Sequence, residues 1–247
     1  MTALLDSRTG APDRFRAPLY TVTEAARYLS VPKSTFNAWA NGYRVPRIGR
    51  PMVSGAPILT VVDRGRGRQG PVVPFIGLAE GLVLAALRRC KVPMQRIRPA
   101  LDRLKGEFGL VHALASKRLY TGGAEVLFDY AEQDGDGEVS EALRELVVVR
   151  SDQRVFNEVV AAYLRRLDFG ADGYARLIHL PAYEVADVVV DPARGFGQPI
   201  FARGGARLED ALAMFRAGED LTTVAAEYRV PPAHLEDAVR VATHVAG

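Results

Sequence analysis

The sequence predicts an α+β fold: an N-terminal winged helix-turn-helix, a mixed central segment and a small C-terminal helical unit of helix-turn-helix type. Three observations lead there. Two short helical patterns flank the interruption Ser30-Val31-Pro32. Val- and Ile-rich pieces alternate with Gly-rich turns through the middle of the chain, and three helical stretches close it. At 247 residues the chain is longer than one domain of about 100 to 200 residues, so several small units are expected.

Residues 1–18 are polar, punctuated by Gly and Pro, and read as a flexible tail. The DNA-reading unit is placed at 19–76. Within it Thr21 to Leu29 has helical spacing through Ala25, Ala26 and Leu29, with Thr23 as N-cap and Glu24 at the positive helix end. Lys33 to Ala40 starts a second helix, with Phe36 and Trp39 three apart on one face. Ile58 to Asp63 and Pro71 to Phe75 read as two extended segments around the tip RGRGRQG, a candidate wing.

A helical extension is placed at 77–120. Leu78 to Leu87 is almost wholly apolar, a buried helix ending in Arg88 and Arg89, and a further helix follows Pro93 with Met94, Ile97, Leu101 and Leu104 as its apolar stripe. Residues 121–187 form a central α/β segment: LYTGGAEVLFDY and Leu146 to Arg150 are strand-like, Val155 to Leu167 is helical, and Leu177 to Leu180 and Val185 to Val190 are extended. The helical unit occupies 188–247. One echo crosses the whole chain: AARYLSVPKSTF at Ala25 to Phe36 returns as AAEYRVPPAHL at Ala225 to Leu235, both reading as helix, turn, helix.

Charge separates the two halves. Residues 1–120 hold 20 Lys and Arg against 7 Asp and Glu, whereas residues 121–247 hold 12 against 22, under a net charge of only +3. A basic front half suits a polyanion, because cations that neutralise phosphates release condensed counterions. The two echo copies divide the same way: the second helix of the first offers Lys33, Ser34, Thr35 and Asn37, that of the second Glu236 and Asp237. Repulsion from phosphates therefore assigns DNA reading to the first copy.

A recognition helix needs short polar donors at its N-terminal end and bulky apolar anchors behind, which Lys33, Ser34, Thr35 and Asn37 against Phe36 and Trp39 supply. Arg44, Arg47 and Arg50 follow that helix, and Arg64, Arg66 and Arg68 alternate with glycines at the expected wing tip, where they would meet phosphate or a narrow minor groove. Other chemistry finds no pattern. Asp134, Asp136 and Gly137 fit three positions of a calcium loop, but Glu132 and Leu143 stand at its first and last, and the lost bidentate carboxylate turns the segment into a solvated acidic turn. Cys90, the only cysteine, reads as a buried small hydrophobe. His112, His179, His234 and His244 lack ligand spacing, and no catalytic order or phosphate-cradling loop stands out, so no cofactor, metal or enzymatic activity is expected. No apolar run approaches about 18 residues and the N-terminus lacks a secretory pattern, so a cytoplasmic protein without a membrane partner is expected.

YTVTEAARYLSVPKSTFNAW and GLAEGLVLAALRRCKVPMQRIRPALDRL resemble the winged helix-turn-helix of the MerR family and the helices that follow its wing, over roughly the first half of the chain. Asp191-Pro192, Gly197-Gln198-Pro199-Ile200 and Ala217-Gly218 resemble a small domain of VapB-type antitoxins, although Gly204-Gly205-Ala206-Arg207 departs from that domain's Gly-[Thr/Ser]-Arg stretch. Together they resemble a large VapB-type antitoxin of a bacterial type II toxin-antitoxin pair. The resemblance implies a homodimer that binds double-stranded DNA at its own promoter, represses it, and sequesters a PIN-like ribonuclease toxin. Two alternatives stay open: a ligand-responsive MerR-like regulator with a pocket among Phe128, Tyr130, Phe156 and Tyr163, and a protein-interaction module that does not bind DNA.

Overall fold

The computed structural model describes residues 11–47, 50–63, 70–89, 111–117 and 165–244, with positions 98, 101, 102, 105, 106 and 109. Helix α1 spans Val22–Tyr28 and α2 Lys33–Asn41; a hairpin of β1 (Tyr43–Arg47) and β2 (Arg50–Gly55) follows, then α3 (Phe75–Arg89). Strands β3 (Leu167–Phe169), β4 (Ala175–His179), β5 (Val188–Val190) and β6 (Ile200–Phe201) lead to α4 (Leu208–Arg216), α5 (Leu221–Glu227) and α6 (Pro232–His244). The α+β class and the N-terminal helix-turn-helix are as the sequence predicts. Among the described residues no helix is long and apolar enough to cross a membrane.

The cap of α1 lies two residues earlier than expected. Thr21, not Thr23, is the N-cap: its Oγ1 accepts from the Glu24 N–H at 3.1 Å while the Glu24 carboxylate accepts from the Thr21 N–H at 2.8 Å. This reciprocal box satisfies two of the N–H groups that a helix start leaves open. Thr21→Ala is expected to cost about 1 kcal/mol, read as a shift in the urea midpoint; no shift would mean that packing alone fixes the helix start.

α3 is the central column. Twelve consecutive residues from Phe75 to Ala86 are buried, and two glycines a turn apart allow other elements to approach. A Cβ at Gly77 would stand 2.2 Å from the Thr60 carbonyl oxygen, and one at Gly81 2.8 Å from the Phe36 ring. Glycine costs a helix interior about 1 kcal/mol against alanine, and here that cost allows α2 and the chain after β2 to lie directly on α3.

The β3–β6 sheet is an antiparallel meander in chain order. Ile178 pairs with Val190 and Val188 with Phe201, and these four side chains join the main core. Leu177, Val189 and Ile200 face the other way and close a smaller cluster with Ala202. Both faces of β5 are covered, which is why Val188-Val189-Val190 is unbroken apolar sequence. The sheet joins residues on both sides of position 188, where the sequence reading set a boundary.

The echo has a physical counterpart. Helices α5 and α6 repeat α1 and α2 at an offset of 199 residues: Thr21 and Asp220 are the N-caps, and Ser30 and Arg229 both turn the chain at φ 53°. The same bonds close both turns, Val31 N–H to Ala26 carbonyl and Val230 N–H to Ala225 carbonyl, each at 2.9 Å. Phe36 and Leu235 then occupy equivalent buried positions.

Two expectations are corrected. Among the described residues Ile58 to Asp63 and Pro71 to Phe75 do not form a strand pair: a Val62 N–H to Val72 carbonyl bond joins the two segments, a bridge ties Tyr20 to Val73, and the described hairpin lies earlier, at 43–55. Asp237, expected on an acidic surface, is buried. Cys90, the strand-like pieces between 119 and 150, the acidic loop at 132–145, the aromatics Phe128, Tyr130, Phe156 and Tyr163, most of the helix expected after Pro93 and nearly all of that expected at 155–167 fall outside the described residues.

Candidate nucleic-acid interface

The turn between α1 and α2 forces the second helix outward. Ser30 takes a left-handed conformation, its N–H bonds the Arg27 carbonyl at 3.1 Å, and Pro32 opens α2 without a side-chain cap. The first N–H groups of this nine-residue helix therefore carry no side-chain acceptor and point along its positive end.

The helix has two distinct faces. Phe36, Trp39 and Ala40 are buried, Phe36 completely, with the Phe36 and Trp39 ring centroids 6.1 Å apart. Lys33, Ser34 and Asn37 are exposed and Thr35 is half-buried. The structure thus brings the four expected helix residues onto or beside one outward stripe. It adds Asn41, which the sequence reading missed: Asn41 is exposed and its amide donates to Asn37 Oδ1 at 2.8 Å. The spacing of four from Asn37 was the available signal.

Behind this face the unit is held to the rest of the molecule. Tyr20, fully buried, donates its hydroxyl to the Gly197 carbonyl at 2.8 Å, and burial holds that phenol well above its ordinary range. Tyr28 and Arg27 line a cavity of about 250 Å³ together with Tyr183, Leu208, Leu212 and Val241. Burial pushes the Tyr183 phenol up to about 12. The helix-turn-helix is thus held against residues of the C-terminal unit.

The hairpin is anchored to α2 at both roots. Gly42 links them with φ 73°, and the Trp39 carbonyl accepts the N–H groups of Ile58 at 2.8 Å and Leu59 at 3.2 Å, just beyond β2. One residue further, the Thr60 N–H donates to the buried Glu80 carboxylate at 2.6 Å and its hydroxyl donates at 3.0 Å, with His112 Nδ1 3.1 Å from the same group. Arg44 is exposed on β1 opposite Ser54; Arg47 pairs in register with Arg50 at the hairpin end, and the side chains of these two lie outside the described set. Arg64, Arg66 and Arg68 lie wholly outside it. Arg44 and the backbone positions of Arg47 and Arg50 thus lie in the hairpin that follows α2, Arg44 near its root and the other two at its outer end.

Residues 18–101 match a family model described as "Putative DNA-binding HTH domain". Over 227 residues, 92% of this chain and 94% of the relative, the sequence is 48% identical to a Mycobacterium tuberculosis protein named "Putative antitoxin VapB45". It is also 27% identical over 235 residues to the uncharacterized protein Rv2308 of the same organism. The crystal structure of Rv2018 from Mycobacterium tuberculosis is similar with a TM-score of 0.75 and 43% identity, covering 92% of this chain and 100% of that one.

Proposed function

The chain belongs to the family of the mycobacterial protein VapB45, and from that premise we propose that it is a sequence-specific DNA-binding antitoxin, a regulator rather than a catalyst. It binds double-stranded DNA in the cytoplasm as a homodimer, represses its own promoter, and neutralises a PIN-like ribonuclease toxin. The observation that supports this best is the outward stripe of α2. Lys33, Ser34 and Asn37 are exposed on a helix whose opposite face is locked by Phe36 and Trp39.

Each group has a defined task. The uncapped N–H groups of α2 and the Lys33 ammonium bind phosphate. Asn37, oriented by Asn41, presents an amide of the kind that pairs with adenine in the major groove. Thr35 lies at the edge of the stripe, where its hydroxyl and methyl reach an adjacent phosphate or a thymine methyl. Arg44, Arg47 and Arg50 follow the DNA backbone beside it, and Arg64, Arg66 and Arg68 add cations further along the chain.

The test is binding of the purified protein to its own upstream DNA, against a scrambled duplex of equal length, across a salt series. Tight, steeply salt-dependent and selective binding is expected. Lys33→Ala should weaken both duplexes alike and reduce the salt slope by about one, whereas Asn37→Ala should erode the preference by about 1 to 3 kcal/mol. Equal affinity for both duplexes at every salt concentration would reduce the helix-turn-helix to a scaffold.

A further inference from the structure

We propose that the β1–β2 hairpin carries an apolar wedge, Pro46 with Met52, that enters the minor groove beside the site read by α2 and bends the duplex. The inference rests on the DNA-binding reading and goes beyond it, because it assigns to the hairpin a task that phosphate-binding arginines do not perform.

Pairing and exposure define the outer face of the hairpin. Arg44 lies opposite Ser54 and Val45 opposite Val53. The register shifts by one residue between Val45 and Arg47, leaving Pro51 and Met52 together opposite Pro46, so pairing fixes the face at Arg44 and Ser54 and exposure extends it to Pro46 and Met52. All four are exposed, Met52 by 57%. The root of this face is polar and its outer part is apolar. The segment 43–55 carries Arg44, Arg47 and Arg50 and no carboxylate.

That combination selects the occupant. Three cations without an acid draw the hairpin to a phosphate surface. A thioether and a pyrrolidine ring gain nothing from phosphates, but they gain from the faces of partly unstacked bases, the apolar surface that a duplex offers in its grooves. A second copy of this chain would have to place its own three arginines against these three, and like charges oppose that pairing.

Attachment fixes the geometry. A Cβ at Gly42 would stand 2.4 Å from the Gly55 carbonyl oxygen, so the two roots of the hairpin touch directly after α2. Arg98 lies over the Tyr43 ring at 5.7 Å from its centroid and donates to the Ala56 carbonyl, bracing the inner face. The Trp39 carbonyl holds the far root. The helix and hairpin move as one piece, so seating α2 in the major groove sets where Met52 falls. Five strand residues at about 3.4 Å each reach roughly 17 Å, enough to cross the intervening backbone. The minor groove, about 6 Å wide, must open to admit a two-stranded tip, and wedge insertion opens it by kinking the duplex towards the major groove. Flexible TA or CA/TG steps should therefore be favoured at the position Met52 reaches.

The experiment uses the intact protein and a duplex it selects from a random-sequence pool, with bending read from circularly permuted fragments by gel mobility. The wild-type complex is expected to bend the duplex by at least about 20°. Met52→Ala should lose most of the bend and the preference for a flexible step, while keeping the salt slope, since no cation is removed. Met52 is exposed, so the variant should melt as wild type does. An unbent wild-type complex, or equal bends in wild type, Met52→Ala and the Pro46→Ala/Met52→Ala double variant, would overturn the wedge while leaving DNA reading by α2 intact. A change in sedimentation mass of the free Met52→Ala protein with an unaltered bend would assign the face to a second copy and overturn it as well. Failure of the wild type to select any duplex would remove both the wedge and the reading beneath it.

Discussion

Phe36→Ala is expected to lower the free energy of unfolding by about 3 to 5 kcal/mol, and to weaken binding to specific and scrambled DNA together. Phe36 is fully buried where α2 meets α3, with Leu29 and Trp39 around it and Gly81 beneath. No neighbour can fill the vacated volume, because Gly81 has no side chain and Leu29 is held by the turn that Ser30 makes. A typical domain has about 5 to 15 kcal/mol of stability in total, so the loss is a large fraction of it. Urea denaturation followed by circular dichroism is the check. A loss below about 1 kcal/mol would show that α2 does not depend on α3 for its position. The same variant distinguishes anchoring from contact, since Lys33→Ala should alter salt dependence without altering stability.

The helix-turn-helix was legible because its signals are local. A Ser-Val-Pro interruption, a bulky pair three residues apart and polar residues between them report on one short stretch of chain. The echo at 225–235 was legible for the same reason, and the offset of 199 residues now relates caps, turns and anchors in the two copies. The hairpin was not legible. Pro46 and Pro51 lie within β1 and β2, and proline normally argues against a strand because it gives no N–H to the ladder. A two-stranded ribbon consists only of edges, so a proline nitrogen can face outward without breaking a pair. The Val- and Ile-rich segments at 58–63 and 71–75 look more like strands, but Leu59 and Val73 are used as core residues beneath α2 and α3. Partnership between distant residues was equally hidden. Nothing near Glu80 in sequence announces that Thr60 and His112 converge on its carboxylate. Arg64, Arg66 and Arg68 belong to the DNA-binding reading through sequence and charge alone.

The second copy differs from the first in a structural way that charge counting only approximated. Asp237, on the helix equivalent to α2, is 3% exposed, and its Oδ2 accepts the N–H groups of Glu184, Val185 and Ala186 at 3.0, 2.8 and 2.8 Å, while Oδ1 accepts from Arg240. By the same 199-residue offset Asp237 is the counterpart of Ala38, beside the outward stripe, and in the second copy this position anchors the loop between β4 and β5. Asp237→Ala leaves the Ala186 N–H, whose bond is buried, without an acceptor and hands the part-buried Glu184 and Val185 N–H groups to water, and at about 1 to 3 kcal/mol for a buried unsatisfied group the expected loss is about 1 to 3 kcal/mol. Burial pushes this carboxyl upward, but the Ala186 and Val185 N–H groups and Arg240 outweigh it and hold the group below its ordinary value. A carboxyl lowered on folding contributes stability that is fully present above its unfolded value, near pH 4, and is lost as pH falls through the folded value. Wild-type urea midpoints should therefore decline on acidification below about pH 4, and Asp237→Asn should flatten that limb while costing stability at pH 7, because its NH₂ cannot accept. Matching acid limbs in wild type and Asp237→Asn would show that the loop is held by packing alone. Because α6 is bonded to this loop, and α4 and α6 line the cavity beside Arg27 and Tyr28 of α1, loosening it should also reduce DNA affinity, although no residue of the outward stripe has been touched.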